Sequence, residues 1–84
     1  MTKLFIILSV IIYNNGTVER NVHFITDNYD KAVEELSKVK YDLTKWDTTF
    51  DLEHLYNFIE EKNQLYAETM LSDKLYIDII EYNG

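Results

Sequence analysis

The chain has no cysteine, no proline and only two glycines in 84 residues. Without cysteine there is no disulfide framework and no thiolate metal site, so a chain this short must be held by one modest core. A reducing cytosol is the compartment that suits such a chain. With so few glycines and no proline there is no flexible linker, no low-complexity tract and no internal repeat, and residues 1–84 read as a single compact domain. Charge of one sign is also scarce locally. Through residue 40 five bases balance five acids, whereas the rest holds three bases against ten acids, so the whole net charge of −7 belongs to the second half. Such a surface repels nucleic-acid phosphates and anionic lipid and attracts basic protein surfaces.

The longest apolar stretch, Leu4 to Ile12 in "LFIILSVIIYNNG", is far short of the ~20 residues that span a bilayer. Lys3 and that run suit a signal peptide, but no small-residue cleavage triplet follows, so an unprocessed cytoplasmic protein is expected. Asn15-Gly16 instead marks a hairpin turn between β-branched segments. A two-residue loop there sets Tyr13 opposite Val18, Ser9 opposite Val22 and Ile7 opposite Phe24. One face then carries Phe5, Ile7, Ile11, Tyr13, Val18, Val22 and Phe24, with Arg20 as a charged intruder, and forms the core. A three-residue loop swaps the faces. Leu4, Ile6, Leu8, Val10 and Ile12 make an apolar row on the other side of strand 1. That row exceeds what one helical layer covers and is expected to meet a partner or a second copy, giving a homodimer.

Thr26, Asp27 and Asn28 are potential caps for a helix whose Tyr29, Ala32, Val33, Leu36, Val39 and Leu43 fall on one stripe. "TKWDTTF" reads as a connector. A second helix is expected from Asp51, with Phe50 and Leu55 as a hydrophobic staple and Leu52, Leu55, Tyr56 and Ile59 facing inward. "LYAETML" and "KLYIDIIEY" alternate as strands about Ser72-Asp73, with Leu75, Ile77 and Ile79 on one face and Tyr76, Asp78 and Tyr82 on the other. The expected fold is α+β, in the order β-β-α-α-β-β: a four-stranded, mainly antiparallel sheet, strand order 2-1-4-3, with two helices packed on one face.

Chemistry is sparsely encoded. His23 and His54 lie on different elements, and Asp51, Glu53 and His54 diverge at their spacing, so no metal site is expected. Ser9, Ser37 and Ser72 lack a nucleophile elbow, neither glycine sits in a phosphate-cradling loop, and no cofactor or enzymatic activity is expected. Asn15-Gly16-Thr17 matches the glycosylation triplet but coincides with the turn. The remaining feature is a mixture of tyrosine and carboxylate, unsuited to nucleic acid and well suited to protein recognition. Glu53, Glu60 and Glu61, on the outer arc of the expected second helix, together with Tyr41 and Tyr82, are the expected partner-binding residues.

Small size, the stretch "WDTTFDLEHLYNFIEE", the lack of motifs and a bias to isoleucine, asparagine, lysine and tyrosine (30 of 84 residues) give the chain a general character. It resembles small acidic inhibitors made by phages and other mobile elements, including anti-CRISPR and anti-restriction proteins. The resemblance implies a binder whose carboxylates replace phosphates in a basic groove of a host enzyme, acting in the host cytoplasm. It assigns no functional residue. Assembly through strand 1 and a small-ligand-binding domain are the alternative readings.

Overall fold

A computed structural model describes residues 3–45 and 55–83, leaving out the side chains of residues 43–45. Strands β1 (Lys3–Ile12) and β2 (Val18–Thr26) form the expected hairpin, but around a three-residue loop. Tyr13 N–H donates to the Thr17 carbonyl at 2.8 Å, and Gly16 N–H to the Tyr13 carbonyl at 2.9 Å. Gly16 takes φ 90°, the left-handed conformation that ends this loop type. The Asn15 side-chain oxygen accepts the Thr17 N–H at 2.9 Å and fixes the turn. Ile12 is therefore opposite Val18, and Val18, Arg20 and Val22 share the face of Ile12, Val10 and Leu8, the reverse of the two-residue-loop register. An irregularity between Ile7 and Leu8 skips His23 and returns Phe24 to its place opposite Ile7.

Helix α1 (Tyr29–Lys45) follows at once. Asn28 is its cap: the side-chain oxygen accepts the Lys31 N–H at 3.0 Å, and Asp30 adds negative charge in the first turn. Ala32 and Leu36 are fully buried against the sheet, as their stripe requires.

The described part of the expected second helix, residues 55–61, is not helical. Leu55–Glu61 is a strand, β3, paired antiparallel with β4 (Gln64–Thr69) through the Lys62-Asn63 turn. The proposed cap Asp51, its staple partner Phe50 and Glu53 lie outside the described residues. The correction has a physical basis. Leu55, Tyr56 and Ile59 recur at helical spacing, yet Tyr56, Phe58 and Ile59 are strand-forming residues that gain cross-strand partners, Phe58 with Ala67 and Ile59 with Tyr66. Seven residues of weak helical periodicity cannot outweigh that pairing.

Strand β5 (Lys74–Asn83) follows a second three-residue loop, in which Thr69 N–H donates to the Asp73 carbonyl at 2.9 Å and Ser72 N–H to the Thr69 carbonyl at 3.0 Å. Ser72 stands where Gly16 stands in the first loop, at φ 71°. The sheet has five antiparallel strands in the order β2-β1-β5-β4-β3, with β3 added beyond the strands foreseen. The fold is thus five strands and one helix among the described residues, not four strands and two helices.

Ile7 and Ile11 of β1, Leu75 and Ile77 of β5, Leu65 and Ala67 of β4 and Leu36 of α1 make the core on the helix side. The fully buried Ser9 falls in the same row and shares a 2.7 Å hydrogen bond with His23 Nε2. The other face of the sheet is uncovered by any described element.

Candidate functional site

No group of three or more metal-ligating side chains occurs among the described residues, and none of their helices is long and apolar enough to cross a membrane. His54 and the carboxylates beside it lie outside the described residues. His23 is engaged with Ser9, and partial burial pulls its imidazole below the ordinary value against the opposing charge of Asp42. That arrangement positions a bulge and presents no reactive group to a cleft.

The expected partner-binding residues do not form one surface. On a helix, Glu60 and Glu61 would share an outer arc; on strand β3 they alternate, Glu60 toward α1 and Glu61 toward the open face. Tyr82, opposite Leu4, also projects from the open face. Glu53 is outside the described residues. Tyr41 and Glu60 are brought together: with Ser37 and Lys40 they line a hollow of about 270 Å³ between α1 and β3. Tyr41 is 56% exposed there.

That border is built by the β3–β4 turn docking along α1. Lys40 Nζ donates to the Glu61 carbonyl at 2.7 Å, and the Tyr29 hydroxyl donates to the Asn63 side-chain oxygen. Lys62 Nζ sits 5.6 Å from the centre of the Tyr29 ring, and Phe5 meets that ring edge-on at 5.3 Å. Phe5, Tyr29, Asn63, Ile79 and Glu81 line a second hollow of about 410 Å³ beside the turn. Glu81 is paired with Lys3 at 3.0 Å, so this hollow offers no uncommitted carboxylate.

The open face is the larger feature. Leu4, Ile6, Leu8, Val10 and Ile12 run along it on β1, between β2 and the central strand β5, and all are half-buried. Exposed Val18, Val22 and Ile25 flank them on β2, Ile80 and Tyr82 on β5, and Ile59 at the far edge. Asp78 lies within it, between Leu8 and Gln64, and burial raises its carboxyl above the ordinary value. Nearby, Tyr66 donates to Glu68 at 2.8 Å and its ring lies 4.9 Å from that of Tyr76, tilted by 49°, and with Glu68 as the main cause its phenol is pushed up to about 12. The β2 contribution was missed because it depends on loop length; Asn14 beside Asn15-Gly16 was the available signal for three residues.

Family models, curated proteins and solved structures provide no match to the chain.

Proposed function

We propose that this chain is a small acidic binding protein that occupies a basic, nucleic-acid-binding surface of another protein and excludes the nucleic acid. The observation that carries this reading is the meeting of Tyr41 and Glu60 in one hollow on the α1–β3 border of a chain with net charge −7. An exposed tyrosine supplies contact area at low entropy cost, and the adjacent carboxylate supplies the charge that a phosphate would. The summed negative field steers encounter with a basic groove, so association weakens as salt screens it.

The footprint is narrower than the sequence suggests. Glu61 and Tyr82 project to the other face and do not act with Glu60, whereas Asp42 follows Tyr41 on the same exposed turn of α1. The test is competition against a fluorescent duplex held by each of a panel of basic DNA-binding proteins. Displacement at low salt that fades toward 0.5 M salt is expected for the right target, together with at least a tenfold loss in Tyr41→Ala/Glu60→Lys. Displacement unaffected by that double variant, or none across the panel, removes the reading.

A further inference from the structure

We propose that the open face of the sheet is the interface of a two-fold homodimer, two copies packing sheet to sheet with their helices outward. This does not depend on the inhibitor reading. Val18, Val22, Ile25, Ile59, Ile80 and Tyr82 are all exposed large apolar side chains, and all project from this one face around the β1 row. Soluble monomers rarely leave so large a contiguous apolar patch in water.

Size and charge select a second copy as the occupant. Five strands ~4.8 Å apart and at most ten residues long present roughly 700 Å² each, so two copies bury roughly 1,400 Å², within the range of stable specific interfaces. A two-fold interface opposes a surface to itself, so it must not be strongly charged with one sign. This face carries Arg20 and Lys74 against Glu61, Glu68 and Asp78, a net charge of −1 where the whole chain has −7. A basic partner would call for the acidic excess to be here, and it is elsewhere. Both signs on one face also let Arg20 or Lys74 of one copy approach a carboxylate of the other. Aligned packing of twisted antiparallel sheets, ~10 Å apart, is the standard way to bury such faces. The dimer would present two outward Tyr41–Glu60 borders.

Sedimentation equilibrium of the full chain between 5 and 200 µM tests the assignment. A closed monomer–dimer equilibrium is expected, with dimer dominant at the upper end. Val22→Lys and Ile80→Lys, at positions exposed within one copy, should each weaken dimerisation at least tenfold while circular dichroism and thermal unfolding stay cooperative. Ser37→Glu on the helix side should leave it unchanged. As the chain has no cysteine, Val10→Cys and Ser37→Cys variants give a second readout: a bis-maleimide with a ~13 Å spacer should cross-link the first pair of copies and not the second. A wild-type monomer at 200 µM, a dimer that survives both lysine variants, or open-ended oligomers overturn the proposal. Failure of the lysine variants to fold leaves the cross-linking to decide, and cross-linking no better than for Ser37→Cys counts against it.

Discussion

The backbone N–H of Asn14 donates to the carboxylate of Asp73 at 2.8 Å, joining residues 59 positions apart. One belongs to the β1–β2 loop and the other to the β4–β5 loop, so this bond ties two hairpins at one end of the sheet. Asp73 is buried, its second oxygen lies 3.4 Å from the Thr69 hydroxyl, and its own N–H donates to that hydroxyl oxygen at 3.1 Å. Asp73→Ala strips the acceptor from a backbone donor and is expected to cost about 1–3 kcal/mol. Urea unfolding at pH 7 checks this; a loss below ~0.5 kcal/mol would mean the loops are held by their backbone bonds alone.

The same two loops make a paired experiment on backbone conformation. Ser72 and Gly16 occupy equivalent left-handed positions, at φ 71° and 90°. A side chain there costs about 1–2 kcal/mol relative to glycine. Ser72→Gly should therefore stabilise the domain by about 0.5–1 kcal/mol, after the added flexibility of the unfolded chain is set against the relief. Gly16→Ala should destabilise it by about 1 kcal/mol, although a Cβ at that position meets nothing within 4 Å. Equal melting temperatures for the three proteins would contradict the common loop geometry.

These loops also mark what sequence reasoning could reach. The hairpin β1–β2, the α1 stripe with Asn28 in front of it, and the alternation of Leu75, Ile77 and Ile79 were all legible, because each rests on a local period or a local cap. Residues 55–61 were not. Leu55, Tyr56 and Ile59 fit a helical stripe, and the cross-strand partners that decide otherwise, Ala67 and Tyr66, are only supplied by the folded hairpin. The site suffered accordingly: converting helix to strand separates Glu60 from Glu61 and leaves Glu60 with Tyr41. Which face Val18 and Val22 take hung on one residue of loop length, a quantity the hydrophobic pattern alone does not determine.

His23 gives the fold a pH dependence. Partial burial lowers its folded value, so the unfolded chain, titrating near ~6.5, binds the extra proton more readily. The contribution is present above ~6.5 and is lost as pH falls toward the folded value. Urea midpoints at pH 7.5 and 5.5 should show a larger loss for the wild type than for His23→Gln, which keeps a polar partner for Ser9. Parallel losses would assign the whole dependence to carboxylates.

Asp78 works in the opposite sense. Burial raises its folded value, so its neutral form favours folding below the unfolded value near ~3.9, and that contribution is lost as pH rises through the folded value. The carboxyl stands among Leu8, Gln64, Tyr76 and Ile80, with Arg20, Lys74, Glu61, Glu68, Tyr66 and Tyr82 as the other titratable groups of that face, and its charged form is the one that burial disfavours. Packing a second copy over the face desolvates it further. Asp78→Asn keeps the shape and removes the charge, so it is expected to raise the melting temperature at pH 7 more than at pH 3.5 and to tighten the dimer severalfold at pH 7. A dimer weakened by Asp78→Asn, with low salt strengthening the wild-type dimer and not the variant's, would instead make Asp78 the acceptor of an ion pair from Arg20 or Lys74 of the other copy. An unchanged dimer with a raised melting temperature would place Asp78 outside the contact and confine its effect to the sheet of one chain.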